Sequence, residues 1–216
     1  MKDIFTILLI MMMMTTKGQD IHGHSGQSGV IFSGFPVHQE DYARDVKEIM
    51  DETIKKYGEE EWRLVALTSE IHGHLGIYAI IGAKMGLYAK EILEAGHDEL
   101  RITSYAGSKP PVSCLNDGLQ VSTGATLGHG LIKIGESESP LPAATFTLHD
   151  KSIRLTLKRD IFAGIENQIK AALKESGGLT PAYWVRIREL GLAVWKGYDR
   201  KGLFEVIEGT GTLKIN

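Results

Sequence analysis

Two separated segments of the sequence carry side chains that could bind a metal ion or act as a nucleophile. The first is His72-Gly73-His74, and the second is Cys114 followed three residues later by Asp117. Neutral imidazole and thiolate together suit zinc and neighbouring transition metals. His72, His74 and Cys114 are therefore candidate metal ligands, although the residue types alone are also compatible with exposed loop histidines and a buried cysteine.

The spacing of the two histidines favours joint binding of one ion. In an extended segment, residues two apart point to the same side, and Gly73 between them relaxes the backbone. The apolar run 62–69 predicts a buried strand before the motif, and apolar residues at three- and four-residue steps over 77–92 predict a helix after it. A junction of strand and helix is a usual place for sites in α/β folds.

Cys114 is the only cysteine of the chain, so an internal disulfide cannot form. Ser113 is a predicted N-cap of a helix that reaches about Ser122, and the start of a helix favours a thiolate. Asp117 would project from the same helix face as Cys114. It could be a metal ligand, the partner of a histidine or a general base, with compensation of the helix dipole as the alternative. Cys114 and Asp117 are the candidate catalytic residues.

The glycine-rich segment 123–130 forms a predicted turn after this helix. Its backbone N–H groups could hold an anion, and the candidate cofactor-binding residues are Thr123, Gly124 and His129. The segment matches neither the phosphate-loop nor the dinucleotide-binding fingerprint. A simple tight turn is the alternative interpretation.

The elements that would position these residues alternate between helical and strand patterns. Further helices are predicted at 39–57, 160–173 and from Pro181 onward, strands at 100–105 and 131–134, a hairpin over 145–158, and edge strands near the C-terminus. This mixture predicts an α/β (or α+β) fold with helices packed on a layered mixed sheet. Gly82 and Gly86 form a small-residue face for a close neighbour, and Trp184 is predicted to belong to the core.

The chain has 216 residues and a net charge of −3 at pH 7, which suits one domain and gives no sign of a nucleic-acid-binding surface. The apolar run 4–14 predicts a signal peptide over 1–18, with an uncleaved anchor as the alternative. We expect export to the periplasm or the outside, without stable membrane insertion after cleavage. Residues 19–37 are a predicted flexible lead-in to a single domain over 38–216.

At the two motifs the sequence resembles the E-subunit family of formylmethanofuran dehydrogenase. Segment 72–75 and the following helix with Lys84-Met85-Gly86-Leu87 are similar to that family's His-Gly-His opening. Segment 114–124, in which a cysteine precedes an Asp and a Gln and a Thr-Gly turn follows, is similar to its second motif, which 126–130 extends. The resemblance covers about residues 39–135. It implies a layered α/β fold with a bound transition metal, usually zinc, and supports the three candidate ligands together.

The sequence departs from this family at several positions. Gly76, Ala125 and His129 stand where the family commonly has Cys, Cys and Lys. Redox chemistry through a cysteine pair is therefore excluded within one chain, and the cysteine-rich zinc ribbon of many relatives has no counterpart here. Asp117 or His129 could be a further ligand. The predicted leader argues against formylmethanofuran chemistry, which is cytoplasmic.

Three functions follow as hypotheses. The first is an exported transition-metal-binding protein of this family, which could be a metalloenzyme acting on a small molecule. The second is a non-catalytic carrier of a metal or small cofactor. The third is a metal-free enzyme with Cys114 as nucleophile and His72 or His74 as base. The expected partners are zinc or another divalent transition metal, a small-molecule ligand and, through Gly82 and Gly86, a second copy of the chain.

Overall fold

The structure is a computed structural model that describes Phe35 and residues 38–209. The predicted signal peptide and nearly all of the predicted lead-in lie outside the described residues. The described helices are α1 (Arg44–Tyr57), α2 (Glu59–His72), α3 (Ile77–Leu93), α4 (Leu115–Thr123), α5 (Arg159–Glu175), α6 (Pro181–Gly197) and α7 (Arg200–Leu203). The described strands are β1 (Arg101–Ser104), β2 (Ile132–Ile134), β3 (Ala143–Leu148), β4 (Lys151–Leu157) and β5 (Phe204–Gly209). Over these residues, no helix combines the length and the hydropathy that a bilayer span requires.

The five described strands form one mixed sheet in the order β2-β1-β3-β4-β5. β1 and β2 are parallel, and every other neighbouring pair is antiparallel. The predicted hairpin is confirmed as β3 and β4, with a turn of only His149 and Asp150, where His149 has a φ of 54°. Together with the helices, this sheet confirms the predicted α/β (or α+β) class.

Helix α3 forms the centre of the core. Nearly all of its residues are buried, including the polar Lys84. A helix that is apolar on all sides must be covered on all sides, and α3 accordingly contacts α2, α4, α6 and strand β4. The residues on either side of α3 are thereby held in fixed positions.

Helix α2 replaces the strand that the apolar run 62–69 predicts, so that prediction is wrong. The buried positions of α2 include Glu61, Leu64, Val65 and Thr68, which recur at three- and four-residue steps and define one helix face. Three glutamates occupy the first turn of α2, where the helix dipole favours negative charge. The His-Gly-His motif therefore lies between two helices and not between a strand and a helix.

Helices α3 and α4 pack with their backbones in close contact. A Cβ atom on Gly82 would lie 2.1 Å from the carbonyl oxygen of Leu115, and one on Gly86 would lie 2.0 Å from Oγ of Ser122. A Cβ on Gly118 would lie 2.1 Å from the carbonyl oxygen of Ala79. The predicted small-residue face of α3 is thus confirmed as a close contact, and the neighbour it accommodates belongs to the same chain.

Candidate functional site

The first contact of the site joins the ends of two helices. His72 is the last residue of α2, and Asp117 lies in the first turn of α4. Nδ1 of His72 and Oδ2 of Asp117 are 2.7 Å apart, and the side chains are 9% and 37% exposed. Because a carboxylate only accepts hydrogen bonds, Nδ1 donates in this contact. Of the roles predicted for Asp117, this contact matches that of a hydrogen-bond partner of a histidine.

The other ring nitrogen of His72 has no partner. Nε2 is buried and makes no hydrogen bond. With the proton on Nδ1, Nε2 of the neutral ring carries a lone pair. A Cβ atom on Gly76 would lie 2.6 Å from this nitrogen. The ring of His72 therefore packs against Gly76, at a position that would not fit the side chain of the cysteine found there in the resembled family.

His74 lies beside His72 because the backbone turns sharply between them. Gly73 ends α2 in the left-handed conformation with a φ of 80°, which glycine adopts without steric cost. The two imidazole rings lie with centroids 4.3 Å apart. Burial and the neighbouring His72 hold the pKa of His74 below its ordinary value of 6.5. A depressed pKa keeps the imidazole neutral, which is the form that binds metals.

Trp184 is the site residue that the sequence pattern does not identify. The structure leaves it 45% exposed instead of placing it in the core, and its ring lies edge-on to His74 with centroids 5.1 Å apart. The buried residues of α6 include Tyr183, Ile187 and Leu190. Trp184 lies three residues before the buried Ile187 and seven before the buried Gly191, so helical spacing assigns it to the same face and carries no signal that would have set it apart.

Cys114 is the N-cap residue of α4 and so lies at the start of a helix as predicted, but its surroundings do not favour the expected thiolate. α4 begins at Leu115, after a short 3-10 helix over Val112–Cys114, and no side chain caps it. The thiol is partly buried, and burial together with the charge of Asp117 raises the pKa of Cys114 above its ordinary value of 9.0. The thiolate expected from the helix dipole is therefore disfavoured.

The predicted three-ligand cluster is not formed. Over residues 38–209, no three His, Cys, Asp or Glu side chains are placed so that they could hold a metal ion together. The structure brings His72, His74 and Asp117 into one contiguous group. It does not add Cys114 to them as a third ligand.

The candidate cofactor-binding residues lie at the opposite end of α4. Gly124 ends this helix with a φ of 75°, and the hydroxyl of the buried Thr123 donates to the carbonyl of Leu119. His129 is exposed, and its Nδ1 lies 3.3 Å from the carbonyl oxygen of Gly124.

The backbone N–H groups of this turn are largely committed within the chain. Those of residues 124, 125, 126, 127, 129 and 130 donate to acceptors in the helix end or the turn itself. A binding site for an anion needs N–H groups that are free to point at the ligand. The structure accordingly favours a tight turn over an anion cradle.

The reactivity of Cys114 provides a pH-dependent test of this geometry. Because the thiol pKa is raised, we expect the rate of alkylation by iodoacetamide to rise with pH beyond the midpoint of a free cysteine. Asp117→Asn should move the midpoint to lower pH, since the carboxylate charge contributes to the shift. The measurement is the alkylation rate against pH by mass spectrometry. A midpoint below neutrality would restore the thiolate hypothesis.

The sequence profile of one family matches the chain over both motifs. That family is described as "FmdE, Molybdenum formylmethanofuran dehydrogenase operon", and the match covers residues 71–184. This range is more than half of the 216 residues. The chain therefore belongs to the FmdE family, and the predicted resemblance is confirmed.

One solved structure gives a more distant likeness. It is the crystal structure of an FmdE-like protein from Syntrophus aciditrophicus, named after the E subunit of tungsten formylmethanofuran dehydrogenase. The two chains are 18% identical, with a TM-score of 0.44, and the alignment covers 71% of this chain and 73% of the other. No curated protein matches the sequence.

Proposed function

We propose that this FmdE-family protein is exported and binds a divalent transition metal, zinc or a close neighbour, through His72 and His74. The observation that carries the proposal is the hydrogen bonding of the two ring nitrogens of His72. Its Nδ1 is held by a carboxylate at 2.7 Å, and its Nε2 is buried without a hydrogen-bond partner. A buried polar atom without a partner costs free energy, and a bound metal would remove that cost.

The donor chemistry of the pair fits such an ion. Metal-binding histidines commonly donate their second ring N–H to a carboxylate, which fixes the tautomer and the orientation of the ring. Asp117 supplies this contact to His72. His74 would be the second ligand, because its ring is adjacent and its lowered pKa keeps it neutral. A bound divalent ion would supply Lewis acidity.

A small molecule is the expected partner of the bound ion. Zinc and its neighbours take four or more ligands, and among the described residues no third His, Cys, Asp or Glu side chain is placed to bind an ion together with the two imidazoles. Coordination positions would therefore remain for water or for a ligand. This arrangement suits an enzyme or an exchangeable carrier better than a closed structural site.

The metal-free thiolate enzyme is the weaker candidate. It requires Cys114 to ionise readily, whereas burial and Asp117 raise its pKa.

The proposal is tested by titrating the purified chain with Zn²⁺ against a chromophoric chelator. His22 and His24 form a second His-Gly-His sequence, so both are replaced by alanine in every sample. We expect one zinc ion per chain. Because each imidazole supplies a metal bond, His72→Ala and His74→Ala should each weaken binding by about a hundredfold or more, beyond the roughly 10–100-fold loss typical of an outer partner.

The matched control is His149→Asn. His149 is exposed in the turn between β3 and β4 and has a φ of 54°, which asparagine tolerates. Its replacement should leave zinc affinity unchanged. Stoichiometric binding that survives both substitutions in the His-Gly-His motif would remove this site from consideration. Export is tested separately, by N-terminal sequencing of periplasmic protein, which should begin near Gln19.

A further inference from the structure

Helix α6 reaches the candidate site although it contains neither of the two motifs. Its side chain Trp184 lies 110 residues after His74 in the sequence. The two rings nevertheless meet in an edge arrangement, with an interplanar angle of 71°. Trp184 is 45% exposed, so burial of the indole in the core does not explain its position.

Two features of the sequence fix the position of α6, one its approach to the loop that carries His74 and the other the residue at which the helix begins. Gly191 provides the first, because a Cβ atom there would lie 2.8 Å from the carbonyl oxygen of Leu75. The helix therefore approaches the backbone of the residue next to His74 at a distance that only glycine allows. The second is the start of α6, where Thr180 accepts from the N–H of Tyr183 and Pro181 occupies the first turn.

The ring of His74 therefore has two aromatic neighbours. His72 lies at 4.3 Å and Trp184 at 5.1 Å between ring centroids. Edge-to-face contacts between rings have a preferred geometry and contribute to stability beyond the area they bury. His74 is exposed on a short loop, and Trp184 is a neighbour from outside that loop that limits the rotation of its ring away from His72.

We propose that Trp184 is a positioning residue for His74 in metal binding. The indole ring restricts His74 to orientations in which both imidazoles serve the same ion, and it covers one side of the site. This inference rests on the proposed function, and it adds α6 to a site that the two sequence motifs assign to α2, α4 and the loop between α2 and α3.

The test compares Co²⁺ binding by the wild type, Trp184→Ala and Trp184→Phe, again without His22 and His24. Trp184→Ala should weaken Co²⁺ binding about three- to tenfold and change the visible absorption of the bound ion, because His74 is no longer held. Trp184→Phe retains an edge-on ring and should bind within about twofold of the wild type. It should lose most of the Co²⁺-dependent quenching of tryptophan fluorescence, since the remaining Trp62 and Trp195 are stacked in the core.

Val185→Ala is the matched control, because Val185 is the next residue of α6 and is 60% exposed. It should change neither the affinity nor the spectrum. If Trp184→Ala binds Co²⁺ as the wild type does, or if Trp184→Phe is as impaired as Trp184→Ala, the positioning role is overturned while the metal site stands. If the wild type binds no Co²⁺ or Zn²⁺, the proposed function and this inference both fail.

Discussion

Lys84→Met is expected to lower the free energy of unfolding by about 3 kcal/mol, because it removes one member of a fully buried ion pair. The side chains of Lys84 and Glu61 are 0% and 1% exposed, and Nζ of Lys84 lies 2.5 Å from Oε1 of Glu61. Nζ also donates to the carbonyl of Tyr198 and lies over the ring of Tyr57. Methionine would fill similar volume but leave the Glu61 carboxylate without its closest cation.

The size of this effect follows from the desolvation of the remaining charge. Removing one member of a buried pair typically costs about 3–5 kcal/mol. The lower end applies because Arg200 contacts the other oxygen of Glu61 at 3.1 Å. Burial raises the pKa of Glu61 and lowers that of Lys84, so burial disfavours the charged form of both partners.

A double-mutant cycle checks this coupling by chemical denaturation. Lys84→Met/Glu61→Gln removes both charges and should be less destabilised than the sum of the two single variants. Lys170→Met is the surface control, since Lys170 pairs with Glu166 at 3.5 Å with its side chain 70% exposed, and it should cost less than about 1 kcal/mol. Additive single effects would show that the pair is not coupled as the structure indicates.

Gly118→Ala is expected to destabilise the protein by about 1–3 kcal/mol and to disrupt the candidate site at the same time. A Cβ atom at this position would lie 2.1 Å from the carbonyl oxygen of Ala79 and 2.3 Å from the backbone nitrogen of Ala83. Backbone atoms in the middle of α3 cannot yield as a flexible side chain would. The helices must separate, and Asp117, the preceding residue of α4, moves with them.

The matched control is Gly164→Ala in α5. Gly164 lies inside a helix, and a Cβ atom there would meet nothing within 4 Å. Alanine should therefore stabilise the protein by about 0.5–1 kcal/mol through helix propensity alone. The measurements are thermal or denaturant unfolding together with the zinc titration. A Gly118→Ala protein of unchanged stability and zinc affinity would contradict the close packing of α3 and α4.

The sequence predicts most of the fold because most elements follow local rules. Gly58 ends α1 and Pro181 starts α6 as their positions indicate, and the alternation over β3 and β4 identifies the hairpin. The exception is α2, where the apolar run 62–69 is short enough to suit either a strand or a buried helix. Its acidic first turn is the distinguishing signal, and it lies outside the apolar run.

The site is predicted less completely, because its contacts join distant parts of the chain. The pairing of His72 with Asp117 spans 45 residues and depends on glycines that bring α3 and α4 together. Residue types suggest both side chains as candidates but cannot select the pair. The prediction that Trp184 belongs to the core is wrong, because helical spacing does not distinguish a buried aromatic residue from one at the edge of the same face that lies beside a histidine.

The most direct test of the proposed site is X-ray absorption spectroscopy of the zinc-loaded chain, with His22 and His24 replaced by alanine. Binding through His72 and His74 predicts nitrogen and oxygen ligands at about 2.0–2.1 Å, with the outer-shell scattering of two imidazoles and no sulfur. Each of His72→Ala and His74→Ala should remove one imidazole from the signal. A sulfur ligand at about 2.3 Å, lost in Cys114→Ser, would contradict the proposed site and restore Cys114 as a ligand.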